Sequence, residues 1–172
     1  MVQPFSHESL EVKKRFLELA RKYHEKSSKE DEEVSLAFEL SAALLYMNVA
    51  DYLAQYLAYG VSTLAKEAIG HYYHGVISFK TEVFKDITIG ESIKQLERFE
   101  FPRKADVMKV LKDANISRNK VAHTILKVKP EELPVIDEAV RKLKDDTENL
   151  IKLVDQIQLG MPPKTIWETM QE

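Results

Sequence analysis

The chain has 172 residues, of which 44% are hydrophobic and 31% charged, with a net charge of −3. Since domains average about 150 residues, the length predicts one domain spanning residues 1–172. There is no Cys, which excludes disulfides, Cys-ligated zinc, iron–sulfur clusters and thiol nucleophiles. Gly and Pro number only 5 and 6, which favours an all-α fold of long helices over sheets joined by tight turns.

Membrane and secretory signals are absent from the pattern of apolar residues. The longest uncharged stretches, residues 40–50 and 52–65, are 11 and 14 residues long and are separated by Asp51. A membrane-spanning helix needs about 18 apolar residues, and the polar N-terminal segment lacks the features of a signal peptide. We therefore expect a cytoplasmic protein that does not contact a membrane.

The first half of the chain predicts two long helices. Ser6 is a candidate N-cap for a helix that ends near Ser27, and the segment Ser27-Ser28-Lys29-Glu30 fits a capping box for the next. From residue 34 to 59 that second helix carries two apolar stripes, so it faces either other helices on both sides or a partner subunit on one. Gly60 is expected to bend or end it, with further helix to about Ser78.

The second half predicts three shorter helical segments and a tail. Thr88-Ile-Gly-Glu91 fits another capping box, for a short helix that stops before Pro102. The next helix is expected to pause at residues 115–117 and resume with Ser117 as N-cap, and Pro130 opens a last helix to about Gln158. The tail holds Trp167, which is expected to dock a short helix onto the bundle.

Charge is concentrated in one segment. Residues 98–129 contain nine basic and three acidic side chains, whereas the segments before and after them are acidic. Such a block attracts phosphate, or its side chains pair with the acidic last helix. The expected phosphate-binding residues are Arg98, Arg103, Lys104, Lys109, Lys112, Lys120 and Lys127.

The histidines do not predict a metal site. None follows a Glu at the Glu-x-x-His spacing of di-iron bundles. Only His71 and His74 share a helix face, and two His beside tyrosines are more often partly buried polar residues than zinc ligands. We therefore expect no metal and no other cofactor.

Arg118, Asn119 and His123 form the strongest candidate site. The guanidinium can hold phosphate charge, and imidazole is the side chain that exchanges protons near neutral pH. On a continuous helix Asn119 and His123 share a face, whereas Arg118 lies about 140° from His123. Either Arg118 reaches around the helix or the helix starts beside it, as a cap at Ser117 would allow.

The segment from Thr88 to Lys127 resembles the HEPN (higher eukaryotes and prokaryotes nucleotide-binding) superfamily. The likeness lies in the Gly-containing helix start Thr88-Ile-Gly-Glu91 followed by the Arg118-Asn119-x-x-x-His123 signature. It implies a HEPN-like antiparallel bundle of about five to six helices, here with an extra N-terminal helix and the Trp167 tail. It also implies a homodimer that brings two signatures together.

The resemblance implies a metal-independent endoribonuclease in which Arg118, Asn119 and His123 are catalytic. Such proteins often act as toxins of toxin–antitoxin or antiviral systems, with a nucleotidyltransferase-type antitoxin as a partner. Other members have lost catalysis, so the alternative is a non-catalytic helical dimer that binds RNA, a nucleotide phosphate or a protein.

Overall fold

A computed structural model describes residues 7–72, 87–101, 103–125 and 133–156. Within these residues the protein is 90% helical and contains no strand, which confirms the all-α prediction. The five helices are α1 (His7–Ser27), α2 (Glu32–Tyr72), α3 (Ile89–Leu96), α4 (Lys104–Ile125) and α5 (Leu133–Gln156).

Side-chain pairs fix the directions of the four long helices. Lys13 meets Asn48 and His24 meets Glu39, so α1 and α2 are antiparallel. Lys14 meets Asp155 and Arg21 meets Glu148, so α5 is also antiparallel to α1. The bonds Arg103–Gln156 and Ser117–Asp146 make α4 antiparallel to α5. Helices α1 and α4 therefore run one way, and α2 and α5 run the other.

Helix α2 is the centre of the bundle and packs against each of the other four helices. Both predicted apolar stripes contribute to the core, through Ala42, Val49 and Leu53 on one and Ala43 and Ala50 on the other. The two-sided pattern is thus explained within one chain, as expected for a helix that neighbours surround. Val34 and Leu44 are exceptions on this helix, because they are 41% and 59% exposed.

The second helix does not start with the predicted capping box at Ser27-Ser28-Lys29-Glu30. Asp31 caps it instead, because its Oδ1 accepts a hydrogen bond from the Val34 backbone amide at 3.2 Å. Ser27 still ends α1, and its hydroxyl donates to the carbonyl of His24 at 2.7 Å and to Glu39 at 2.8 Å. The Ser27 hydroxyl, which the sequence pattern assigned to the cap of the second helix, is thus bonded to Glu39 instead.

Two expected breaks, an end of the second helix at Gly60 and a pause at residues 115–117, are also wrong. Helix α2 continues through the buried Gly60 to Tyr72, and α4 runs without a pause from Lys104 to Ile125. Ser117 is buried within α4, where its hydroxyl donates to Asp146 on α5. Ser at a helix interior loses its tendency to cap when a partner on another helix satisfies the hydroxyl.

The predicted capping box at α3 is confirmed in detail. The Glu91 amide donates to Thr88 Oγ1 at 3.3 Å, and Glu91 Oε2 accepts from the Thr88 amide at 2.8 Å. Ile89, Ile93 and Leu96 then bury the apolar face of this short helix. The cap therefore fixes the start of α3 beside the middle of α2.

Several expectations fall outside the described residues. They are the Ser6 cap, the helix stop at Pro102, the opening of the last helix at Pro130, its end near Gln158, the Trp167 tail, the side chains of His71 and His74, and Lys127.

One segment of α2, Glu33–Lys66, is long and apolar enough to span a membrane by length and composition alone. The core helix of a soluble protein passes the same test. In this structure Asp51 lies within the segment and pairs with Arg118 of α4.

Candidate functional site

Arg118 points from α4 toward α2, where it pairs with Asp51. Its Nη2 lies 3.3 Å from Asp51 Oδ2, and the two side chains are 26% and 25% exposed. Its Nη1 also donates to Asn119 Oδ1 at 3.3 Å. The guanidinium is thus held between a carboxylate of another helix and the amide that follows it in sequence, and it remains partly open to solvent.

The carboxylate of Asp51, on α2, contacts the backbone at the start of α3. Burial raises the pKa of its carboxyl, while Arg118 and the backbone amide of Ile89 act in the opposite direction. Gln55, one turn further along α2, donates to the carbonyl of Ile87 at 2.7 Å. The junction of α2 with the capped end of α3 therefore holds the carboxylate that orients Arg118.

A second carboxylate, Asp146 on α5, contacts the residue that precedes Arg118. Ser117 Oγ donates to Asp146 Oδ2, and this bond lowers the pKa of Asp146 while burial raises it, with burial the larger effect. Ser117 immediately precedes Arg118, so the bond fixes the rotation of α4 about its axis at the signature. This rotation turns Arg118 toward α2.

His123 faces solvent on the same helix. It is exposed, as are Asn119 and Lys120, and these three share one side of α4 with Ile116. Ile116 is 60% exposed. The structure thus brings Asn119 beside Arg118 and places His123 one turn away, on the outer face of the helix.

The continuous helix settles how Arg118 and His123 are related. Because α4 does not start at Ser117, Arg118 and His123 project in directions that differ by about 140°. Within one chain the two side chains therefore do not converge on a common point. Any chemistry that uses both needs either a long reach by Arg118 or a second copy of the chain.

The predicted phosphate-binding side chains fall into two groups. Arg98, Lys109 and Lys120 are exposed. Three others are paired with nearby carboxylates: Arg103–Asp106 at 3.1 Å, Lys104–Glu100 at 2.7 Å and Lys112–Glu97 at 3.3 Å.

The alternative that the basic block pairs with the acidic last helix receives little support from the described residues. Only Arg103 reaches α5, and it does so through the neutral Gln156. Arg103 also has a φ of 60°, a left-handed conformation that is uncommon for a residue with a side chain. Among the described basic side chains of α4, Lys104, Lys112 and Arg118 are ion-paired, which leaves the exposed Lys109 and Lys120 for an anionic ligand.

Sequence reasoning did not identify Asp51 as part of the site. Asp51 is 67 positions from Arg118, so no short motif contains both. A usable signal was nevertheless present, because Asp51 is the one charge that separates two uncharged stretches of an apolar helix. A charge in such a place is rarely buried unless it is paired, which predicts a basic partner on a neighbouring helix.

Comparison with known proteins identifies no relative of the chain. No protein-family model matches the chain, and neither a curated protein nor a solved structure matches it significantly.

Proposed function

We propose that the protein is a metal-independent endoribonuclease of the HEPN type, acting as a homodimer. The observation that carries the proposal is the arrangement at the signature. A guanidinium anchored by Asp51 lies beside Asn119, and an exposed imidazole at His123 lies one turn further along a basic helix.

The chemistry follows from the groups present. His123 accepts the proton of a ribose 2′-hydroxyl as its oxygen bonds to phosphorus, and an imidazolium returns a proton to the leaving 5′-oxygen as the old P–O bond breaks. Arg118 stabilises the charge that develops on the phosphoryl oxygens. The products are a 2′,3′-cyclic phosphate and a 5′-hydroxyl, and no metal takes part.

A homodimer would supply what one chain lacks. The outer face of α4 combines the exposed Ile116 with Asn119 and His123, and it is the face that would carry the contact between two copies. Two copies that meet about a twofold axis on this face would bring two His123 side chains together. One could then act as base and the other as acid.

The proposal is tested by incubating the purified chain with structured and single-stranded RNA in EDTA. We expect cleavage that ends in cyclic phosphate, and a loss of about 10²–10⁴-fold in rate for His123→Ala. Lys22→Ala, which removes an exposed side chain from α1, is the control and should cleave at the wild-type rate. Absence of cleavage by the wild-type chain, or equal rates for both variants, contradicts the proposal.

The dimer is tested separately by light scattering. A mass of twice 19.8 kDa is expected for the wild-type chain, and Ile116→Asp should shift it toward the monomer. If the wild-type chain is monomeric at micromolar concentration, the composite site is wrong. A nucleotidyltransferase-type antitoxin as partner is a further part of the proposal and would be sought by co-purification with the product of a neighbouring gene.

The second candidate is a helical dimer that binds a nucleotide, RNA or a protein without cleaving it. The observation that favours it is the pairing of Arg118 with Asp51, which directs the guanidinium away from His123. In that case Arg118→Ala weakens RNA binding and reduces its dependence on salt, while no product forms at any protein concentration.

A further inference from the structure

Three helices bring potential metal ligands together around Glu39, near the start of α2. His24 of α1, Glu39 of α2 and Asp137 of α5 each offer one ligand atom, and these atoms all lie within 4.8 Å of one another. His24 Nδ1 is 3.1 Å from Glu39 Oε2, and the two side chains are 12% and 7% exposed. The cluster combines an imidazole with two carboxylates, and it is not part of the Arg118 site.

Glu39 supplies an independent indication of a ligand. The residue is only 5% exposed, yet its Oε1 is buried and has no hydrogen-bond partner among the described residues. The other oxygen, Oε2, already accepts from Ser27 Oγ at 2.8 Å as well as contacting His24. A buried carboxylate oxygen is costly when it is unsatisfied, and a cation is one of the few ligands that would satisfy it.

Asp137, the third potential ligand, is already hydrogen-bonded to an arginine. Asp137 is held by Arg141 one turn along α5, with Nη2 to Oδ2 at 2.7 Å and Nε to Oδ1 at 3.1 Å. A carboxylate oxygen can accept from arginine and still bind a metal, because it offers more than one lone pair. Metal-binding carboxylates are commonly hydrogen-bonded in this way, which fixes their orientation.

The donor set indicates which ion would bind. One imidazole nitrogen and two carboxylate oxygens suit Zn²⁺ and related transition metals, whereas Ca²⁺ and Mg²⁺ prefer oxygen alone. Zinc–ligand bonds of about 2.0–2.2 Å require ligand atoms about 3.4 Å apart, so small side-chain rotations would close the present cluster. Three protein ligands would leave the fourth position to water.

We propose that His24, Glu39 and Asp137 form a zinc site that joins α1, α2 and α5. Sequence spacing does not reveal it, since His24 and Glu39 are 15 positions apart and Asp137 lies on a helix almost 100 positions later. Bound zinc would tie together the ends of three helices and stabilise the bundle, because an ion that binds only the folded chain shifts the folding equilibrium.

The experiment is a zinc titration of the full chain after removal of metal, followed by calorimetry and by thermal unfolding. We expect one Zn²⁺ per chain and a higher Tm with zinc. Glu39→Gln and Asp137→Asn should each weaken zinc binding at least tenfold, as loss of even an outer-shell partner costs 10–100-fold. Glu25→Gln removes an exposed carboxylate next to His24 and should bind zinc as the wild type does.

Substitution with Co²⁺ adds a readout of the ligands, because its visible absorption should appear in the wild-type chain and in Glu25→Gln but not in Asp137→Asn. Asp137 is 40% exposed, so Asp137→Asn should still fold. If Glu39→Gln does not fold, the zinc affinity of Asp137→Asn tests the proposal. Zinc binding of equal strength in all variants would overturn the proposal, as would no saturable binding by the wild-type chain. RNA cleavage in EDTA is measured separately, so either proposal can fail alone.

Discussion

Helix α2 carries two acids within its apolar length, the buried Glu39 and the partly buried Asp51, and their surroundings differ. Glu39 meets His24 and Ser27 where α1 and α2 pack together, and the Glu39 and His24 side chains are only 7% and 12% exposed. Asp51 meets Arg118 at a place where both side chains remain about one quarter exposed. Both acids lie in the apolar central helix, where each needs a partner from another helix.

The difference shows what each position can do. The Asp51–Arg118 pair lies beside Asn119 and near the basic face of α4, so a large anionic ligand can reach the guanidinium. An imidazole and a second carboxylate beside the Glu39 carboxylate fit an ion better than a substrate.

The largest effect is expected from breaking the Asp51–Arg118 pair. Asp51→Ala leaves a partly buried guanidinium without its carboxylate, which should lower the free energy of unfolding by about 1–3 kcal/mol. Urea denaturation measures this change. Asp106→Ala is the matched control, because it breaks the exposed pair with Arg103 and should cost less than about 1 kcal/mol.

Equal losses in the two variants would mean that Asp51 behaves as an ordinary surface charge. A double-mutant cycle that combines Asp51→Ala with Arg118→Ala then isolates the energy of the pair. If the two losses simply add, Asp51 does not hold Arg118, and the comparison with Glu39 loses its basis.

Much of the fold could be predicted because helix formation is local. The composition and the apolar spacing predicted the α-helical class, the end of α1 at Ser27 and the capping box at Thr88. The errors at Ser27 and at Ser117 share one cause, because a side chain on another helix binds each hydroxyl. Ser and Asn favour caps when their surroundings are unknown, but Asp146 on α5 satisfies the Ser117 hydroxyl and lets α4 continue.

The candidate sites were less predictable because they are made by contacts between helices. The sequence presented Arg118, Asn119 and His123 as one motif, yet the continuous α4 turns Arg118 inward and His123 outward. The partner Asp51 and the cluster around Glu39 depend on how helices pack, which no spacing within the chain encodes. In both cases the sequence feature that could have indicated the site is an acidic residue within the apolar helix α2.

A smaller effect is expected at the cap that supports Asp51. Thr88→Ala removes the side chain that accepts from the Glu91 amide, and N-cap losses of this kind cost about 0.5–2 kcal/mol. Urea denaturation measures the loss. Hydrogen exchange should show faster opening of the α3 amides than of the α1 amides near Glu39.

Thr124→Ala is the control for this change. Its hydroxyl donates to the Lys120 carbonyl within α4, so its removal should leave stability within about 0.5 kcal/mol of the wild type. If Thr88→Ala is as mild as Thr124→Ala, the start of α3 is held by Gln55 and by packing, and the cap does not contribute to the position of Asp51.

The smallest effect is a pH dependence with opposite signs at two acids. Burial raises the pKa of Asp146, so the folded chain takes up a proton at higher pH than the unfolded chain does. The stability of the wild type relative to Asp146→Asn should therefore increase as the pH falls from 7 to about 4. The Thr88 amide lowers the pKa of Glu91, so the wild type should lose stability relative to Glu91→Gln as the pH falls below 4.5. Urea denaturation across this pH range measures both differences, and slopes of the same sign would show that Asp146 is solvated like the exposed Glu91 and does not fix the rotation of α4.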